Sequence, residues 1–311
     1  MIFKGEFITL DPVAHTAPVP QSLEVKDNIV RLRKMKVNYY GEVYSVPYVS
    51  GNALRATLRR PLVDEFLDTV GIVKEELAET NRDLYYSLYG GGALDKKEGD
   101  ASEKRKKNIV LTEQFASLFP TIDEFIAKLP TFSLFGGVLL NRIMEGRLNV
   151  GNLVSLTKQN ANLYDRDGED LPNCGDIVDL LGFTSHDAIR KLFSAKAQEV
   201  DFESPEGDEA GEESKDKYRP MLFHIEAICP NVTMLTEIFI KPSATKLEIS
   251  AVARAIEIFN EKPIVGLRAS AGFGRLKGKI AIDGASSELY LDHITKNAGD
   301  IKDFIMVKMS S

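Results

Sequence analysis

Only two cysteines, Cys174 and Cys229, occur in 311 residues, and no Cys-x-x-Cys spacing accompanies them. A disulfide framework and a thiolate zinc site are both set aside, and the pair reads as reduced thiols. Histidine is scarce too: His15, His186, His224 and His293 are dispersed, so neither a metal centre nor a cofactor is expected. No run approaches the roughly 20 apolar residues that a membrane span needs, and the N-terminus lacks a basic-then-apolar secretory signal. These absences point to a cytoplasmic protein with no membrane partner. A hydrophobic content of 43% suffices for the core of one elaborated domain or two.

The formal net charge of -7 argues superficially against a nucleic-acid partner. Its distribution says otherwise. Between residues 199 and 217 there are nine acids and two lysines, which account for the whole excess and leave the remainder neutral. That segment, with Pro205, Gly207 and Gly211, reads as a flexible acidic loop. A second polar run, residues 95–107, ends in Lys104, Arg105, Lys106 and Lys107 and reads as a loop as well.

What is present is concentrated in two places. Residues 266–278 hold Gly266, Gly272, Gly274 and Gly278 together with Arg268, Ser270, Arg275 and Lys277. Glycines allow positive φ and let main-chain N–H groups approach an anion, and the basic side chains favour phosphate, so this loop suits a phosphate backbone. A solvated glycine-rich turn is the competing reading. The second place is the entry to a helix after residues 43–49. Ser50 stands where an N-cap is needed, Leu54 and Leu58 share one face, and Arg55 and Arg59 share another. With amides at Ser50, Gly51 and Asn52 open, the helix start makes a second anion site, while Pro61 is expected to end or kink the helix. The alternative is that both arginines solvate an outer face.

Elsewhere, residues 1–10 alternate as a first strand stopped by Asp11-Pro12, and residues 29–40 read as a basic ribbon carrying Arg31, Arg33, Lys34 and Lys36 and ending in Tyr39-Tyr40. Residues 74–129 look mainly helical, and residues 148–153 return to strand. Two strands at 221–228 and 234–240 precede a helix from 246 to 260, opened by the capping box Thr245 and Glu248, and a last strand falls at 279–282. The class is α+β. The order of strands and helices suggests a ferredoxin-like, RRM-type sheet whose halves are separated by insertions.

Residues 1–12, the run Val46-Pro47-Tyr48-Val49-Ser50-Gly51-Asn52-Ala53-Leu54-Arg55, the stretch from Leu134-Phe135-Gly136-Gly137 to Leu148-Asn149-Val150-Gly151, and the loop at 266–274 together resemble the RAMP superfamily of CRISPR-associated proteins. Within it they look most like the Cas-seven-type backbone subunit, type IV-like before type I-D or type III relatives. The resemblance rests on the order and spacing of degenerate motifs. It implies an RRM-like palm (1–70 and 221–311), inserted helical fingers with a return strand (71–150), and a thumb hairpin region holding the acidic flexible loop (151–220). It also implies a guide RNA bound along a helical row of identical subunits, with complementary target nucleic acid, copies of the chain and other effector subunits as partners. Carried onto this chain, the RNA-contacting set is Ser50, Asn52, Arg55, Arg59, Arg268, Ser270, Gly272 and Arg275, with Asn141 and Arg142 as weaker members. Family members are often more basic than this chain, and the acidic loop departs from that pattern.

Type III relatives cleave target RNA with an aspartate in the loop after the first strand, and Asp27, with Glu24 behind it, is the nearest candidate here. The surrounding sequence does not match that loop well, so the expectation is a non-catalytic RNA-binding subunit. A RAMP-fold endoribonuclease that processes the CRISPR transcript with His15 as general base remains an alternative, as does a scaffold with no nucleic-acid ligand.

Overall fold

The computed structural model describes residues 1–16, 29–92, 116–140, 142–184 and 222–309. The opening strand β1 (Ile2–Thr9) alternates strictly between exposed and buried side chains. Phe3 and Phe7 therefore face one side while Ile2, Lys4, Glu6 and Ile8 face the other. After β2 (Ile29–Val30) come β3 (Lys34–Tyr39) and β4 (Glu42–Val49), a hairpin in antiparallel register from Lys34 opposite Pro47 to Tyr39 opposite Glu42.

Helix α1 (Gly51–Val70) begins where expected. Ser50 caps it, its hydroxyl accepting from the Ala53 amide at 3.3 Å. It does not end at Pro61, one of the two outcomes that the sequence led one to expect there. An interior proline costs about 3 kcal/mol. Leu58, Leu62, Val63, Phe66 and Leu67, on either side of it, are all buried, and each contributes about 1.5–3 kcal/mol by leaving water. Packing wins, and the helix runs on to Gly71, whose left-handed conformation (φ 72°) closes it.

Helices α2 (Lys74–Thr80) and α3 (Arg82–Gly90) follow, then short helices Ile122–Lys128 and Pro130–Phe135. The chain next forms the hairpin β5 (Gly136–Leu139) and β6 (Arg142–Glu145). Residues 148–153, read as one strand, are two: β7 (Leu148–Val150) and β8 (Leu153–Ser155). Both pair with β11 (Thr233–Ile240), at separate points along it, and the break at Gly151-Asn152 lets Asn152 turn toward α1. Strands β9 (Val178–Thr184) and β10 (Leu222–Ile228) pair with each other, and β10 also takes β2 in parallel.

The helix Lys246–Glu261 opens with the expected capping box: Glu248 N donates to Thr245 Oγ1 at 3.2 Å, and Thr245 N donates to Glu248 Oε2 at 2.8 Å. Strand β12 (Leu276–Ile280) starts three residues earlier than the sequence indicated, and the helices Glu288–Lys296 and Ala298–Asp303 follow, the second running on into a π-helical turn at Phe304–Lys308.

The main sheet runs β12-β1-β11-β8-β4-β3, with β7 also on β11. A separate three-stranded sheet holds β2-β10-β9, so the consecutive strands β10 and β11 belong to different sheets. Helices α1, Pro130–Phe135, Lys246–Glu261 and Glu288–Lys296 pack on one another against one face of the main sheet. There Phe3, Phe7, Leu54, Leu58, Phe66, Met234, Ile238, Val252, Ile256 and Phe259 share one core with Leu77, Leu84 and Leu88 of α2 and α3. The architecture is α+β with largely antiparallel sheets. Arg254 locks the two long helices together through a forked pair with Glu65, 2.6 Å at its shortest. Among the described residues no helix is long and apolar enough to cross a membrane.

Candidate nucleic-acid interface

The two segments that carry most of the expected RNA contacts, the glycine-rich loop and the start of α1, are tied together by the chain between β1 and β2. Leu267 N donates to Ala14 O at 2.8 Å and Gly274 N to Pro12 O at 3.0 Å, which seats the glycine-rich loop on residues 12–14. One residue further, the His15 Nε2 lies 3.0 Å from Ser50 Oγ, at the cap of α1. Arg33 completes the junction, with its backbone N donating to His15 O and its Nε to Thr16 O. The route from Arg268 and Ser270 to Ser50 and Asn52 is thus bonded throughout.

The loop is not the open amide cradle that its glycines suggested. The amides of Ala271, Gly272, Phe273 and Gly274 are spent on Arg268 O, Ala269 O, Arg268 O and Pro12 O, because the turn closes on itself. What it offers to a ligand is side chains: Arg268, Ser270 and Lys277 are exposed. Arg268 itself takes a left-handed conformation, φ 61°. Arg275 forks onto Asp11, with Nη2 to Oδ1 at 2.9 Å and Nε to Oδ2. That bond, more than the Coulomb attraction, holds the Asp11 carboxyl below the ordinary carboxylate range. Arg275 therefore enters the surface with its charge already answered.

The start of α1 is also less open than expected. Gly51 N donates to Asn152 Oδ1 at 2.8 Å, a cap that the sequence analysis did not identify. Asn52 is exposed.

The face of α1 bearing Arg55 and Arg59 turns toward the β5–β6 hairpin and borders a cleft of about 710 Å³. Asn52, Arg55, Arg59, Arg60, Asn149 and Glu145 are among its walls. Arg59 is 7% exposed and does not solvate an outer face. Its Nη2 donates to Phe135 O at 3.1 Å and Gly136 O at 2.9 Å, and its guanidinium lies 5.2 Å from the Phe135 ring centroid. Burial, and then the neighbouring Arg55 charge, push its pKa down to about 10, which leaves it a cation at neutral pH. Arg55 is half-buried, donates Nη2 to Leu148 O, and keeps a buried Nε with no partner among the described residues. Arg60 is exposed. The one carboxylate among the lining residues, Glu145, pairs with Lys241, so the arginines of the cleft are not neutralised by it.

Arg142 is the exposed first residue of β6. Asn141, Glu24, Asp27, the basic run at 95–107 and the acidic run at 199–217 lie outside the described residues. On the outer face of β1, β11 and β12 the strands carry Lys4, Glu6, Glu237, Lys277 and Lys279, and among the described residues the aromatics at this face are Phe239 of β11 and Tyr164, which borders it from the turn after β8. A pair of stacking rings of the kind RRM sheets use is not built on it. Two residues that sequence reasoning missed, Arg60 and Asn152, sit here through the packing of elements distant along the chain, and no local pattern announces them.

His15 gives this junction a pH dependence. Burial first, then the Arg33 charge, lower its pKa below 6.5. The unfolded chain then binds the proton more readily than the folded one, so stability is complete above about pH 6.5 and is lost as pH falls toward the folded value. Cooling of the thermal midpoint between about pH 7.5 and about pH 5.5 is expected to be steeper in the wild type than in His15→Gln; equal slopes would remove His15 from the account.

No protein-family model matches the chain, and no curated protein matches it. Among solved structures, a chain of a structure titled "Type IV-B CRISPR Complex" is similar, with 16% sequence identity over 91% of this chain and 92% of that one, at a TM-score of 0.49. The likeness is too distant to carry any residue's role across.

Proposed function

We propose that this chain is a non-catalytic, guide-RNA-binding backbone subunit of a CRISPR effector ribonucleoprotein, assembling with copies of itself and other effector subunits along the guide and presenting it to complementary target nucleic acid. The observation that carries the reading is the bonded surface running from the arginine cleft through Asn52, Ser50 and His15 to Arg268 and Ser270. Among the described residues its carboxylates Asp11 and Glu145 each face a cation of their own. The arginines of the cleft, Arg55, Arg59 and Arg60, suit a phosphate chain.

Two further features support it. In chain order β1, α1, β7 with β8, β11, the Lys246–Glu261 helix and β12 read β-α-β-β-α-β, and β12-β1-β11-β8 is the strand order of a split βαβ palm. The antiparallel pair β9–β10 brackets residues 185–221, as a thumb hairpin would. In this reading Arg55, Arg60 and Arg268 meet phosphates, while Arg59 braces the hairpin that walls the cleft and Arg275 fixes the loop to Asp11. His15 holds the helix cap rather than acting as a base.

Purification without nuclease tests the assembly. The expected product is an RNA of uniform length held in particles larger than one chain, which shrink when the RNA is digested. A chain that stays monomeric and free of nucleic acid, with or without added guide RNA, would contradict it.

A further inference from the structure

The basic ribbon lends Arg33 to the surface described above, but its tip, which ends in two tyrosines, is not used there and is unusual. Tyr40 and Gly41 are the two turn residues between β3 and β4, with φ of 51° and 87°. Positive φ at both centres is the type I′ turn, whose first position favours Asn, Asp or Gly. A tyrosine there is unfavourable for the backbone. Nor does it gain by burial, since Tyr40 is 91% exposed. Neither local preference nor the core accounts for the ring.

Its surroundings point to a ligand. Tyr39 packs edge-on against Tyr40, with centroids 4.5 Å apart, and against Tyr44 at 6.1 Å, so the exposed ring has an aromatic support behind it. The Tyr44 hydroxyl donates to Glu42, which fixes that support. On β3, Lys34 and Lys36 share the face opposite Tyr39, and Lys36 bonds only the neutral Ser45 Oγ, at 2.8 Å, among the described residues. Among the described residues, Arg31, Arg33, Lys34 and Lys36 of the ribbon stand near Glu42 and, from β10, Glu226, which takes both Arg31 and Lys34. An open, aromatically supported ring at the tip of a basic ribbon is the composition that holds unpaired bases.

We infer that the β3–β4 tip is a stacking platform for an unpaired base of single-stranded nucleic acid, with Tyr40 as the ring and Tyr39 as its support. The inference rests on the RNA-binding reading above and adds a contact outside its phosphate surface.

The test uses the full chain and a fluorescein-labelled single-stranded oligoadenylate, alone and paired with its complement. Tyr40→Asn places a favoured turn residue at that position, so the hairpin is kept while the ring is lost. It is expected to weaken single-strand binding about tenfold with duplex binding and the salt slope unchanged, because no ionic contact is removed. Tyr40→Trp is expected to bind as the wild type does. Equal single-strand affinity of wild type and Tyr40→Asn overturns this inference alone, as does a changed oligomer mass with unchanged affinity, which would make the tip a protein contact. A wild-type chain that binds neither probe overturns the RNA-binding reading and this inference with it.

Discussion

Gly274→Ala is expected to lower the thermal midpoint by about 5–10 °C, corresponding to about 3 kcal/mol. Gly274 has φ of 83°, and a Cβ built on it would stand 1.9 Å from Val265 O. That oxygen belongs to the backbone and cannot rotate away. The residue is also the hinge of the candidate interface, since its N–H holds Pro12 O and its carbonyl accepts from Val265 N. Two costs therefore add: about 1–2 kcal/mol for a side chain in the left-handed region, and about 1–3 kcal/mol for overpacking. Gly272 separates them. It has the same φ of 83°, but nothing lies within 4 Å of its virtual Cβ. Gly272→Ala is thus expected to cost only the conformational part, about 1 kcal/mol. Thermal unfolding of the two variants checks the argument, and equal shifts would mean that the loop does not close on residues 12–14 as described.

What the sequence disclosed was local. The alternation in residues 1–10, the Ser50 cap and the Thr245–Glu248 capping box each depend on residues within one or two turns of one another, and each forms. What it withheld depended on distant partners. Arg55 and Arg59 do share a face of α1, but helical periodicity does not say what that face meets. The carbonyls that take Arg59 come from Phe135 and Gly136, more than seventy residues on. Arg275 likewise reads as an open cation until Asp11, 264 residues away, is folded against it. Pro61 misled for a related reason: the rule that proline breaks helices is a statement about the backbone, and here the burial of five flanking side chains is larger. The glycine-rich loop was recognised as a place, while its chemistry was misread, because amides counted as open in sequence are consumed by the turn that the glycines permit.

The phosphate surface predicts its own salt dependence. A single strand whose phosphates are met by several cations should bind with log affinity falling linearly in log salt, at about 0.7 per phosphate neutralised. Arg55 and Arg268 lie at opposite ends of the bonded route, one in the cleft and one on the loop. Arg55→Gln removes the charge from a half-buried side chain and Arg268→Ala alters an exposed one, so neither change should unfold the chain. Arg59 is left alone, because its loss would strip two buried carbonyls of their donor. Each substitution alone is expected to weaken binding about tenfold or more, across unrelated sequences, since phosphate contacts carry no base information.

The most direct measurement is therefore the salt titration of guide-length, mixed-sequence single-stranded RNA binding, for the wild type and for the double variant Arg55→Gln, Arg268→Ala. The predicted result is a slope shallower by about 1.4 in the variant, with no change in sequence preference. A variant whose affinity and slope both match the wild type would contradict a nucleic-acid surface running from the arginine cleft to the glycine-rich loop.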